Sequence, residues 1–274
     1  MIADIDLDHV AVAAERQADV WPRYAGDLAG TWVGGGPSPG FWFGQVQFAN
    51  GMKVEVLEPH AVDENDFLRR FLDRSGPGPH HMTFKVGHIE SALEQAEAAG
   101  YRPVSVDLSN ESWKEAFLHP KDAPGVVVQL AQAGDSDADE PFEGYDAAPE
   151  DLPAPRTPRA ATLDRVVHAV VDLDVGLRLF AGLLGGQEDG RGDDEGGRWV
   201  DLAWPGPGRV RVLEPSDPAG PVASWIGDRA GRVHHLAFTA QRPEAIAGAV
   251  ALGDGGVEVP PEANLGVRLI VRPA

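Results

Sequence analysis

The 274-residue sequence contains no cysteine. That excludes disulfides and thiolate metal sites, so a transition-metal ion bound here must be held by imidazole, carboxylate or amide groups. No apolar run approaches the roughly 18 residues of a membrane span. The first residues, MIADIDLDHVAVA, carry acids where a secretory leader would carry basic residues. A cytoplasmic protein with no membrane partner is expected. Positive charge is scarce as well: 23 Lys and Arg against 43 Asp and Glu give a formal net charge of -20. That balance argues against nucleic acid or an anionic membrane as a general partner, although a single pocket can still bind an anion. A small-molecule substrate, in a monomer or homodimer, is what remains.

What the sequence does contain is a repeat. LDHVAVA (7–13) returns as LDRVVHA (163–169), and KVEVLEP (53–59) returns as RVRVLEP (209–215), both displaced by 156 residues. PHHMTFKV (79–86) returns as VHHLAFTA (233–240), displaced by 154, and PGVVVQLAQ around Gln129 has a weaker echo in LGVRLIVRP around Ile270. Within the first half, a strand with His at its third residue recurs from His9 to His81, and a strand with a polar ligand type recurs from Glu55 to Gln129. An order kept over four strands marks duplication. The chain therefore reads as four copies of one small unit, paired into two halves at 1–132 and 161–274. The intervening 133–160 is an acidic, Pro-rich linker. Residues 133–159 hold eight acids, two arginines and five prolines, a composition expected to stay solvated.

Each unit reads as a strand, a helix and then shorter strands. Residues 4–13 and 80–87 alternate apolar and polar, and helix-like stretches follow them, closed by Gly30 and Gly100. Strands are expected near 41–48 and 52–58, split by the Asn50-Gly51 turn, and near 103–107, 115–119 and 126–131. A connecting helix is expected within 62–78. The Gly-rich stretches 34–40 and 188–198 lack the context of a phosphate-binding loop and read as mobile loops.

Strand alternation places Ala11 and Ala13 on the face of His9, Lys53 and Leu57 on that of Glu55, Thr83 and Lys85 on that of His81, and Val127 and Ala131 on that of Gln129. The opposite faces are apolar, from Val10 and Val12 to Val128 and Leu130, and suit helix packing. The ligand faces suit a polar concavity. His9, Glu55 and His81 make a two-His, one-carboxylate set for a divalent ion such as Fe, Mn, Co, Ni or Zn, with Gln129 as a neutral fourth ligand. His80 points to the other face from His81. Lys53 and Lys85 are placed to hold a substrate or cofactor carboxylate or phosphate by charge.

The order LDHVAVA, KVEVLEP, FLRRFLDRSGPGPHHMTFKV and AFLHPKDAPGVVVQLAQ resembles the vicinal oxygen chelate superfamily of glyoxalases, extradiol dioxygenases and bleomycin-resistance proteins. The first half is most similar to its methylmalonyl-CoA epimerase and glyoxalase branch. The resemblance covers about residues 5–132 well and 163–272 weakly. It implies an α+β fold of four βαβββ modules, forming two tandem glyoxalase-like domains with cup-shaped mixed sheets. It also implies metal ligands on the first and last strands of each unit, here His9, Glu55, His81 and Gln129. One departure stands out, because that branch usually has a Glu where this chain has Gln129. An amide cannot serve as a general base near pH 7. Glu115 and His119, on or beside the preceding strand, are the candidate bases.

Carried through the repeat, the four positions become Arg165, Arg211, His235 and Ile270. Two cations there would repel a metal ion, so the second half is expected to be degenerate. Arg165, Arg211 and Arg268 either gather round an anion or pair with acids such as Asp164 or Asp201, and the second is preferred. The expected function is a metal-dependent isomerase, epimerase or lyase that chelates an oxygen-rich substrate and stabilises an enolate-like intermediate. A non-haem Fe(II) oxygenase and a non-catalytic sequestering protein are the alternatives.

Overall fold

The computed structural model describes residues 1–134, 147–194 and 196–274. The first half contains β1 (Ile5–Ala13), β2 (Thr31–Ser38), β3 (Phe41–Gln47), β4 (Lys53–Pro59), α1 (Phe67–Ser75) and β5 (Gly78–Val86), then α2 (Ile89–Ala98), β6 (Pro103–Asp107), β7 (Trp113–Leu118) and β8 (Val127–Ala133). The second half contains β9 (Thr162–Val170), α3 (Leu173–Leu177), β10 (Gln187–Asp194), β11 (Gly197–Ala203), β12 (Arg209–Glu214), α4 (Pro221–Ile226) and β13 (Gly231–Ala240), then β14 (Val250–Ala251), β15 (Val257–Val259) and β16 (Leu269–Pro273). Among the described residues strand pairing keeps to the halves. One mixed eight-stranded sheet runs β2-β3-β4-β1-β5-β8-β7-β6 and the other β10-β11-β12-β9-β13-β16-β15-β14. This is the α+β architecture expected of tandem glyoxalase-like modules. Among the described residues no helix is long and apolar enough to cross a membrane.

Register shows that the repeat is structural as well as textual. In the parallel β1–β4 pair Glu55 stands opposite Ala11, and in the parallel β9–β12 pair Arg211 stands opposite Val167. Gln45 faces Glu55 across β3–β4, as Asp201 faces Arg211 across β11–β12. Thr83 pairs with Gln129, as Ala237 pairs with Ile270. A one-residue slip would turn each of these side chains to the other face, so the shared register fixes the comparison between the halves.

Packing groups the modules differently, into one compact unit holding the first and fourth and another holding the second and third. In the first unit Phe48 meets Phe238 with ring centroids 5.0 Å apart, and the Asn50 amide donates to the Leu163 carbonyl at 3.0 Å. In the second unit Phe84 meets Trp204 at 5.2 Å. Positions 48 and 204, like 84 and 238, are repeat equivalents, so the same contact is made twice. Close backbone approach also marks the second unit: a Cβ on Gly125 would lie 1.7 Å from the Gly231 carbonyl oxygen.

The apolar strand faces are buried as expected, with Val10, Val54, Val56, Met82, Phe84, Val128 and Leu130 essentially inaccessible. The ligand faces are less uniformly polar than alternation suggests. Leu68 and Leu72 of α1 pack on Ala11, Ala13 and Leu57, with Phe41, Phe43, Phe67 and Phe71 around them. The far end of that face is therefore an apolar cluster, formed because the small Ala11 and Ala13 let a helix approach.

Three expectations need correction. The Gly-rich stretches are not loops but hairpin strands, β2 and the β10–β11 pair. Glycine is used there because an indole lies over it: a Cβ at Gly35 would sit 2.7 Å from the Trp32 ring, and one at Gly192 would sit 2.6 Å from the Trp199 ring. The stretch before Gly30 is not a regular helix. It makes a wide π turn over Pro22–Asp27, with the Leu28 N–H donating to the Arg23 carbonyl at 3.0 Å, and Leu184 with Leu179 repeats this in the second half at 2.9 Å. Of the linker, residues 135–146 lie outside the described residues. The part after them is largely exposed, as expected, but pinned where a free linker would not be: Arg156 N–H donates to the Gly26 carbonyl, its guanidinium pairs with Asp27, and Ala161 N–H donates to the Leu28 carbonyl.

Candidate metal centre

β1, β4 and β5 bring one ligand atom each from His9, Glu55 and His81 to within 4.8 Å of one another. All three side chains are buried, His9 at 1 % exposure, Glu55 at 8 % and His81 at 6 %. Burying two imidazoles and a carboxylate is costly unless they are paired or bind an ion. His9 Nε2 lies 3.6 Å from a Glu55 oxygen, longer than a hydrogen bond and compatible with a shared ion. Two nitrogens and one oxygen, with no sulfur, fit a first-row divalent ion.

Gln45 completes the carboxylate's surroundings. Its amide donates to Glu55 Oε1 at 2.9 Å from the facing position of the β3–β4 hairpin, and it is itself buried. Such a donor orients a ligating carboxylate. Sequence reasoning did not single out Gln45, although the signal was present. The Asn50-Gly51 turn makes paired residue numbers sum to a constant, which sets Gln45 opposite Glu55.

Gln129 is buried and stands opposite Thr83 in the β5–β8 register. The Thr83 hydroxyl donates to its carbonyl oxygen at 2.5 Å, and its amide nitrogen donates to Glu115 Oε2 at 2.6 Å. The Trp113 indole N–H reaches the same Glu115 oxygen at 3.0 Å. Glu115 is thus tied to the proposed fourth ligand through a defined chain of donors. Phe117, from the same strand, stands edge-on to the His81 ring at 6.2 Å.

His119 is placed elsewhere. It lies exposed just past the end of β7, and its Nδ1 accepts the Lys121 N–H at 3.1 Å, capping the turn before Gly125. Lys85 bridges to Asp8 at 3.1 Å and lies 5.7 Å over the Trp113 ring. Lys53 stands beside His9 in the β1–β4 register and is half-buried. His80 sits against Phe71 with ring centroids 4.7 Å apart, and burial pushes its pKa down to about 4.

In the second half the equivalent positions form an ion cluster. Asp201, in the place of Gln45, is held by Arg165, in the place of His9, and by Arg211, in the place of Glu55. Arg211 is bidentate at 2.7 and 2.8 Å. Burial works to raise the Asp201 carboxyl, but hydrogen bonds and charge from the two arginines outweigh it and hold it below its ordinary range. Asp164 instead accepts from the Thr239 hydroxyl at 2.7 Å, and Arg268 pairs with Glu258 at 3.2 Å.

Comparison with known proteins agrees with this architecture. Residues 8–117 match the glyoxalase/bleomycin resistance protein/dioxygenase superfamily. Human mitochondrial methylmalonyl-CoA epimerase is 31 % identical over 135 residues, 46 % of this chain and 73 % of that protein. An ethylmalonyl-CoA/methylmalonyl-CoA epimerase of Cereibacter sphaeroides is 29 % identical over 133 residues, 46 % of this chain and 96 % of that protein. A hypothetical protein from Staphylococcus aureus superposes over 98 % of this chain and 100 % of its own with a TM-score of 0.61 at 10 % identity, a likeness of fold alone. With the human relative 31 % identical over 73 % of its own length, the chain belongs to the glyoxalase/bleomycin resistance protein/dioxygenase superfamily.

Proposed function

We propose that the chain is a divalent-metal-dependent enzyme of epimerase or isomerase type, acting on a small substrate with two neighbouring oxygens. The observation that carries this reading is the buried His9, Glu55 and His81 cluster, with ligand atoms within 4.8 Å. These three residues would hold the ion, with the Gln129 carbonyl oxygen as a neutral fourth ligand. Bound there, a divalent ion supplies Lewis-acid polarisation of a carbonyl oxygen. The relatives act, by name, on methylmalonyl-CoA and ethylmalonyl-CoA. An acyl thioester with a neighbouring carboxylate is therefore the substrate class to test, with Lys53 beside His9 as a counter-charge.

The chain's own proton chemistry falls to Glu115. Gln129 cannot take a proton, but its amide nitrogen and the Trp113 indole hold Glu115 Oε2 in place next to the proposed ligand set. A carboxylate fixed by two donors is positioned to remove and return a proton beside a polarised carbonyl, a contribution of roughly 10²–10⁴ in rate. His119 is not assigned this role, since its ring caps a turn. The test is exchange of the α-proton of methylmalonyl-CoA in heavy water by the metal-loaded protein. Exchange abolished by chelator and by Glu115→Gln supports the reading. A protein that binds metal yet exchanges no α-proton refutes it.

A further inference from the structure

The first-half cluster sets one carboxylate, Glu55, among an amide and two imidazoles. Its counterpart sets two guanidiniums against one carboxylate, so it carries one positive charge too many. Arg165, Asp201 and Arg211 are each at most about one third exposed, with side-chain exposures of 34 %, 17 % and 23 %, so solvent neutralises that charge only in part. The cluster is also rigidly built. The Arg211 guanidinium lies 3.7 Å from the Trp199 ring centroid, and the Trp199 ring lies over Gly192. Asp201 occupies Nε and Nη2 of Arg211 but only Nη1 of Arg165. Among the described residues, Nε and Nη2 of Arg165 and Nη1 of Arg211 have no protein acceptor. These are planar, fixed donors of the kind that bind oxyanions bidentately. In a chain of net charge -20, nothing in the bulk composition calls for such a concentration of cations.

We propose that Arg165 and Arg211, oriented by Asp201 and Trp199, form an oxyanion-binding site in the second half, taking a carboxylate or phosphate group where the first half has its proposed metal ligands. Asp201 acts as an orienting counter-ion that leaves the outer donors directed at the ligand.

The test is isothermal titration calorimetry of the full chain with inorganic phosphate and, separately, with malonate at fixed low ionic strength. Binding of either ion is expected, weakened roughly tenfold or more by Arg165→Gln, because a hydrogen bond to a charged group is lost. Asp201→Asn is expected to tighten it, since a competing negative charge is removed, and His9→Ala is expected to leave it unchanged. Whichever of the two ions binds identifies the oxyanion. If neither binds, if Arg165→Gln binds as the parent does, or if His9→Ala removes the heat, the proposal is overturned. Should Arg211→Gln fail to fold for want of its stacking on Trp199, Arg165→Gln and Asp201→Asn decide the matter.

Discussion

The two halves place different chemistry on the same register. Position 9 is His and position 165 is Arg; 45 is Gln and 201 is Asp; 55 is Glu and 211 is Arg, with the strand partners unchanged. In one half a buried carboxylate is oriented by a neutral amide and approached by two imidazoles. In the other the carboxylate has moved to the neighbouring strand and two guanidiniums enclose it. The difference shows that the sheet specifies where side chains meet and that a few substitutions decide the sign of the ion they attract. Some apolar positions, by contrast, are kept in type, as Phe48 and Trp204 illustrate.

The comparison breaks first at His9. His9→Ala is expected to remove bound metal altogether, and elemental analysis of the purified variant should find no stoichiometric ion. Metal retained in both His9→Ala and His81→Ala would place any ion elsewhere. Glu115→Gln is expected to lower turnover by roughly 10²–10⁴ while leaving metal content unchanged; equal loss of metal and rate would make Glu115 structural. A third effect concerns stability in acid. Position 12 is Val in the first half, and its equivalent is His168, fully buried with Nε2 2.8 Å from the Pro124 carbonyl oxygen. Burial pushes the His168 pKa down to about 4, with the Pro124 carbonyl opposing the shift. The unfolded chain, near 6.5, binds the proton more readily than the folded one. Stability should therefore fall as pH drops from about 6.5 towards 4, by on the order of 2–3 kcal/mol. Thermal melts of His168→Gln should show a flatter profile over that range. The smallest effect is at Gln45: Gln45→Leu is expected to weaken metal binding by roughly 10–100-fold through loss of the donor to Glu55, read by competition with a chelating dye.

Much of this was legible in the sequence because repeats and strand alternation are local signals. The displacement of 156 residues identified Arg165 and Arg211 as the equivalents of His9 and Glu55, and the Asn50-Gly51 turn marked the β3–β4 hairpin. Glycine misled at 34–36 and 190–192, since its usual meaning is a loop and the covering Trp32 and Trp199 rings are set by hairpin register. Glu115 was recognised as a candidate, but its tie to Gln129 depends on the β7–β8 register and on a Thr83 hydroxyl that only the folded sheet brings into reach. His119 was attractive by type alone; the Lys121 N–H of the following turn occupies its Nδ1.

The pairing of the first module with the fourth also governs how the chain can be made. Phe48 finds its partner only at Phe238, far along the chain, whereas Phe84 needs only to wait for Trp204. During synthesis the unit containing the second and third modules can close while the first strand group still has an uncovered apolar face. A fragment stopping at residue 132 would leave that face exposed, and it is expected to emerge as an aggregating product rather than as an independent half-enzyme.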